Sequence, residues 1–204
     1  MADVARATQD ESLLKACETL WNNMVHQKMY VTGGIGATHI GEAFSFNYDL
    51  PNDTAYAETC ASIGLVFFAR RMLEIQAKAE YADVMELALY NGVLSGMALD
   101  GKSFFYVNPL ESKGDHHRQE WYGCACCPSQ LSRFLPSIGN YIYASSDDAL
   151  WVNLYIGNTG QIRIGETDIL LTQETDYPWD GSVKLTISTS QPLEKEIRLR
   201  IPDW

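Results

Sequence analysis

The sequence predicts an α+β chain in which a helical region gives way, near residue 140, to an antiparallel sheet with one buried face. Apolar residues recur at offsets of three and four as far as Ile138, and from Leu150 onward they alternate with polar ones. The chain has 204 residues, 46% of them apolar and 20% charged, which is enough to bury a sizeable core and too apolar for disorder.

Each element follows from its local pattern. Ala2 to Ala7 read as the tail of a helix. Leu13, Leu14, Cys17, Leu20, Trp21 and Met24 form the stripe of an amphipathic helix, with Asp10 as its cap. Gly33-Gly34-Ile35-Gly36 lacks the strand-to-helix context of a nucleotide loop and reads as a turn. Asp49-Leu50-Pro51-Asn52-Asp53 favours a helix start, so a second helix is expected over about 54–77; it is apolar nearly all round and therefore buried between others. A third, over about 80–97, carries Tyr81, Val84, Met85, Ala88 and Leu89 on one face and stops at Asp100-Gly101. A fourth starts at Pro128 and carries Leu131, Phe134, Leu135 and Ile138. Strands are expected around 150–155, 183–188 and 197–201, with turns at Asp147-Asp148, Gly157-Asn158 and Asp180-Gly181, and Trp204 directly after the last strand. The corresponding domains are residues 1–140 and 141–204.

Charge and cysteine content narrow the function. A net charge of −11 and no basic stretch argue against nucleic acid and anionic membranes as partners. The longest apolar run, Ala61 to Ala69, is too short to span a bilayer, and no signal sequence opens the chain. Five cysteines, three of them crowded into Cys124-Ala125-Cys126-Cys127, do not suit a disulfide framework. Clustered thiols point instead to a reducing compartment, hence the cytoplasm, and to a metal or a reactive thiolate.

Glu58-Thr59-Cys60 and Cys126-Cys127-Pro128 each open a helix, and a carboxylate with three thiolates is a four-ligand set suited to zinc. Residues at i and i+2 do not share a helix face, so Glu58 and Cys60 converge only in an irregular first turn. Cys17 and Cys60 read equally as small core residues. His116 and His117 offer further ligands but lie in a polar run that reads as a solvated loop. Glu42, between apolar neighbours, reads either as a general acid or as a surface-loop carboxylate. Tyr30, Phe44, Phe46, Tyr106, Trp121 and Tyr122 sit in the loops around these residues, where they stack on sugar or fill core.

In their order along the chain, Tyr30 to Gly36, Gly41-Glu42-Ala43-Phe44, Asp49-Leu50-Pro51-Asn52, Tyr56-Ala57-Glu58-Thr59-Cys60-Ala61-Ser62, Leu89-Tyr90-Asn91-Gly92 and Cys124 to Pro128 resemble glycoside hydrolase family 127. Its best-known activity is β-L-arabinofuranosidase. The resemblance implies the C-terminal part of an (α/α)6 barrel followed by the start of a β-sandwich, with the N-terminal half of the barrel absent. It implies Cys126 as nucleophile, Glu42 as general acid/base, Glu58, Cys60, Cys126 and Cys127 as ligands of Zn2+, and Glu86 and Tyr106 lining the sugar site. The expected reaction is a retaining hydrolysis of β-L-arabinofuranosides, small or oligosaccharide, through a thioglycosyl enzyme. A homodimer is expected. The alternative is a catalytically silent, zinc-binding fragment with a structural or carbohydrate-binding role.

Overall fold

Short helix α1 (Ala2–Thr8) ends at Gln9, whose φ of 57° turns the chain directly into α2 (Glu11–Gln27). Asp10 caps α2 as expected: its carboxylate accepts from the backbone N–H of Ser12 at 2.8 Å and of Leu13 at 3.3 Å, donors that a helix start leaves unpaired. The apolar stripe of α2 buries Cys17, Trp21 and Val25. Trp21 meets Phe68 and Tyr81 edge-on at 5.6 and 4.8 Å, and its indole N–H donates to Glu80 at 2.8 Å, so the one polar atom of a buried ring is satisfied.

The next helix, α3 (Thr59–Ile75), begins five residues later than the cap signals at Asp49 to Asp53 suggest. Non-local bonds hold the intervening run extended: Tyr56 N–H donates to Ala37 O, Ala57 N–H to Gly36 O, and Asn108 N–H to Tyr56 O. The third helix is also shorter than its periodicity implies. It consists of α4 (Ala79–Ala88), a wide π-turn over Leu89–Val93 and a tight 3-10 turn over Leu94–Gly96. The altered winding sets Gly92 and Gly96 against the start of α3, where a Cβ would meet Ser62 Oγ at 2.5 Å and Thr59 Cγ2 at 2.7 Å. Helix α5 (Cys126–Phe134) starts two residues before Pro128, which occupies the first turn, where its missing N–H costs nothing. Leu131 and Phe134 are buried, and Phe134 packs on Phe67 of α3 at 5.8 Å.

The computed structural model describes residues 1–203, and Trp204, expected directly after a strand, lies outside the described residues. The chain divides into two compact units, Met1–Pro136 and Ser137–Trp204. The second opens on a single helical turn, α6 (Gly139–Ile142), followed by β1 (Tyr143–Ser145), β2 (Ala149–Val152), β3 (Asn158–Ile164), β4 (Thr167–Thr175), β5 (Val183–Ser188) and β6 (Glu196–Leu199). They form two three-stranded sheets, ordered β1-β2-β6 and β3-β4-β5. Leu150, Ile164, Ile169 and Leu171 make the core between them.

Two features depart from the sequence-based expectation. The sheets are not wholly antiparallel, because β2 and β6 run parallel; the long excursion through β3–β5 between them leaves the direction of return open. The buried face does not extend to every strand either. In β5 and β6, Ile187, Ile197 and Leu199 are 39%, 37% and 50% exposed, so their alternation does not mark a covered face. The expected turn at Gly157-Asn158 is in fact the entry to β3, and the β3–β4 hairpin turns at Gly165 instead, with φ of 57°.

Candidate active site

The site is assembled at the first turns of α3 and α5. Glu58 is the residue before α3, in extended backbone (φ −61°, ψ 138°), and Cys60 is in its first turn. This break between extended and helical backbone is how residues two apart come to face one point. Ala57, buried and in left-handed backbone at φ 36°, sharpens the entry. Its carbonyl accepts from Asn108 Nδ2 at 2.8 Å, and the same amide donates to Thr59 Oγ1 at 3.1 Å. Thr59 N–H donates to Tyr106 O at 2.9 Å and its hydroxyl to Phe105 O at 2.9 Å. The segment carrying Tyr106 is thereby fastened along the start of α3.

Cys126 and Cys127, the first residues of α5, bring two thiols to the same point. Their Sγ atoms are 3.8 Å apart, and lie 3.3 and 3.4 Å from Glu58 Oε1. With Cys60, the four donor atoms lie within 4.8 Å of one another, a group that can hold a metal ion. Three of the four are thiol sulfurs, a set matched to a soft or borderline cation.

Burial and hydrogen bonding set these groups apart electrostatically. Burial pushes the Cys126 thiol up to about 11, opposed by the hydrogen bond with Tyr106. The interaction between the Cys127 and Cys60 thiols raises Cys127 far above the ordinary thiol range and holds Cys60 below it. A cation among these thiols would favour their ionisation.

A second set of contacts joins the cluster to Glu42. The Cys126 thiol donates to Tyr106 Oη at 3.0 Å, and the Tyr106 hydroxyl donates to Glu42 Oε1 at 3.2 Å. Tyr56 donates to the same carboxylate oxygen at 2.9 Å. Burial, followed by the bond to Glu42, pushes the Tyr56 phenol up to about 12; the Cys126 contact, with burial, raises Tyr106 far above the ordinary phenol range, so both are protonated donors at neutral pH. Glu42 itself sits in a loop with φ of 49° and is exposed rather than desolvated by its neighbours; Phe44 beside it is 46% exposed.

The structure therefore brings Glu42, Glu58, Cys60, Tyr106, Cys126 and Cys127 together. Glu86, only 2% exposed on α4, is not among the residues whose donor atoms converge. His116 is turned to other work: its ring stacks on Phe105 at 4.7 Å and Nε2 contacts Val107 O at 3.0 Å. The loop aromatics divide, with Tyr30 in the core and Phe46 and Trp121 75% and 62% exposed. Sequence reasoning missed Tyr56 and Asn108. A phenol two residues before a ligand candidate was the available signal for Tyr56; Asn108 left none, since its partners, Ala57 O and Thr59 Oγ1, lie some fifty residues away.

The model of the "GH127 catalytic domain" of β-L-arabinofuranosidases matches residues 1–140, and that of the GH127 middle domain matches residues 149–204. A curated relative, the non-reducing end β-L-arabinofuranosidase of Bifidobacterium longum subsp. longum, is 42% identical over 100% of this chain and 33% of its own length. The crystal structure of a GH127 β-L-arabinofuranosidase from Geobacillus stearothermophilus T6 superposes with a TM-score of 0.95 at 54% identity, covering 100% of this chain and 34% of that one. A second GH127 β-arabinofuranosidase structure gives 0.95 at 51%, over 100% and 32%. The chain thus spans about a third of the length of these relatives. Among the described residues no helix is long and apolar enough to cross a membrane. With both domain models matched in sequence order and the fold shared at half-identical sequence, this chain belongs to glycoside hydrolase family 127.

Proposed function

We propose that the chain carries the catalytic centre of a zinc-dependent, retaining β-L-arabinofuranosidase, and that its helical unit is the C-terminal part of an (α/α)6 barrel. The observation that carries this reading is the continuous set of contacts from Glu58 through Cys126 and Tyr106 to Glu42: a carboxylate, a thiol and a second carboxylate joined by one phenol.

Glu58, Cys60, Cys126 and Cys127 would hold the zinc. The donor set supports that ion, since three thiol sulfurs and a carboxylate oxygen within 4.8 Å of one another are ligand types zinc takes. The observed separations are 3.8 Å between Cys126 and Cys127 and 3.3–3.4 Å to Glu58. When bound, zinc supplies positive charge that keeps thiols ionised near neutral pH.

Cys126 attacks the anomeric carbon, forming a C–S bond as the glycosidic C–O bond breaks, and Glu42 gives its proton to the leaving oxygen. Glu42 then takes a proton from water, whose oxygen attacks the same carbon; the C–S bond breaks and the electron pair returns to Cys126. Two inversions give retention. Tyr56 and Tyr106 hold the Glu42 carboxylate through its Oε1 and leave Oε2 for proton transfer. Tyr106, and Glu86 as a less closely placed member, would contribute to the sugar site.

Elemental analysis tests the metal: about one zinc per chain is expected, with loss in Cys127→Ser. Hydrolysis of an aryl β-L-arabinofuranoside, followed by NMR of the first-formed sugar, tests the reaction. The β-anomer and dependence on both Cys126 and Glu42 are expected; first release of the α-anomer would overturn the mechanism.

A further inference from the structure

A cavity of about 640 Å³ opens beside the catalytic cluster, within the size range of small-molecule sites. Its walls are residues 53–56 on one side and the loop 107–116 on the other, and Tyr56 belongs to both the cavity and the Glu42 contact. Tyr56 therefore marks the cavity as lying on the side of Glu42, the residue assigned to the leaving group.

The walls are tied together without a ligand. Leu110 and Glu111 N–H both donate to Asn52 O, at 2.8 and 3.2 Å, and Asn108 N–H donates to Tyr56 O at 3.1 Å. His116 is fixed by Phe105 and the Val107 carbonyl. A site held in this way loses little ordering entropy when it is filled. Its lining carries many hydrogen-bonding groups and one large ring: the carboxylates of Asp53, Glu111 and Asp115, the ammonium of Lys113, the Ser112 hydroxyl, and Tyr56. Carboxylates accept from pairs of sugar hydroxyls, and an aromatic ring offers its face to sugar C–H groups. Three acids against one lysine repel a negative charge.

We propose that this cavity is the leaving-group site, which takes a neutral, hydroxyl-rich sugar and rejects an anionic one. The assignment of a leaving side rests on the role proposed for Glu42. The existence of a sugar site does not, and it is tested separately.

Methyl β-L-arabinofuranoside is titrated into the chain while backbone amide shifts are followed by NMR. Saturable shifts are expected at residues 53–56 and 111–116, with binding of methyl α-D-galacturonoside at least tenfold weaker. The double variant Glu111→Gln/Asp115→Asn, both residues being exposed, is expected to weaken the neutral probe about tenfold, whereas exposed Lys102→Gln, outside the cavity lining, leaves it unchanged. No shift in the cavity, shifts confined to Glu42 and Cys126, or tighter binding of the anionic probe would overturn the proposal. A second arm compares turnover of an arabinofuranosyl disaccharide with that of an aryl arabinofuranoside. A fall in the disaccharide-to-aryl ratio of kcat/KM in the double variant supports the leaving side. An unchanged ratio, with the NMR binding intact, shows a sugar site not used by the leaving group. Loss of all turnover with the binding intact instead counts against the proposed reaction alone.

Discussion

Cys126 Sγ stands 3.0 Å from the hydroxyl oxygen of Tyr106, and that hydroxyl has only one proton to give. While Cys126 is a thiol it donates to Tyr106, whose proton is directed at Glu42 3.2 Å away. Once Cys126 is a thiolate, the same proton is drawn to sulfur, and Glu42 keeps only Tyr56 as a phenolic donor among these contacts. The ionisation of the sulfur and the hydrogen bonding of the carboxylate are therefore linked through one phenol.

Tyr106→Phe breaks that link and keeps the ring contacts with Tyr56 and Tyr122, at 6.1 and 5.4 Å. The Tyr106 bond opposes the rise that burial imposes on Cys126, so its removal pushes the thiol above about 11. In the metal-free chain, alkylation of Cys126 at pH 9 is expected to slow by about tenfold, the fall in thiolate for one pKa unit. Exposed Cys124 supplies the internal reference in the same peptide mass spectrum. Equal rates in variant and parent would show that the contact does not tune the sulfur.

Asn108 braces the entry to α3 through its side-chain amide. Asn108→Ala removes the donor to Ala57 O, a carbonyl on a buried residue held at φ 36°, and the donor to Thr59 Oγ1. A buried acceptor left unpaired costs about 1–3 kcal/mol, and here the penalty falls on the turn that aims Glu58. Urea unfolding is expected to show this loss. Competition with a chromogenic chelator is expected to show weaker zinc binding than in the parent, although no ligand is altered.

Much of the helical unit was legible because its signals are local. The α2 stripe and the Asp10 cap lie within one helix, and so did the expectation that Glu58 and Cys60 need an irregular first turn. The start of α3 was misread because residues 52–58 answer to Ala37, Gly36 and Asn108, partners far away in the chain. Likewise, alternation predicts a strand but not its neighbour, so nothing in Ile197-Arg198-Leu199 announced a parallel pairing with Leu150-Trp151-Val152. The β3–β4 hairpin went unread because the covered face of β3 opens on Asn158 and Gly160, which leaves only Ile162 and Ile164 as apolar alternation. In the site, motif identity singled out Glu58, Cys60, Cys126 and Cys127, whose donor atoms converge; the Tyr56 and Tyr106 contacts with Glu42 join loops far apart in the chain and left no local signal.

Gly33 tests how tightly the glycine loop is seated. Its φ is +77°, and a Cβ there would lie 2.7 and 2.8 Å from the backbone N and Cα of Ala88. Neither the loop nor the end of α4 yields cheaply, since the obstruction is backbone rather than a flexible side chain. Gly33→Ala is expected to destabilise the chain by about 2–4 kcal/mol, combining left-handed strain with overpacking. Gly101→Ala is a useful control, with φ of +71° but nothing within 4 Å of its Cβ, so it is expected to lose only the smaller strain contribution. Similar urea midpoints for the two variants would show that α4 moves aside.

Alkaline pH probes the buried phenols together. Desolvation raises Tyr30, Tyr81, Tyr122 and Tyr143 above the ordinary phenol value of 10.0, and desolvation with Glu42 raises Tyr56 to about 12. Each is neutral when protonated and raised in the folded state, so the folded chain binds the phenolic protons more tightly than the unfolded chain does. The resulting stability is fully present below about pH 10, where both states are protonated, and is lost as pH climbs from there through the folded-state values. Urea unfolding is expected to weaken progressively from pH 10 to 12. Phenolate absorbance near 295 nm should lag behind that of free tyrosine until the fold gives way. A chain whose tyrosines titrate at the free value while it stays folded would contradict the burial of these rings.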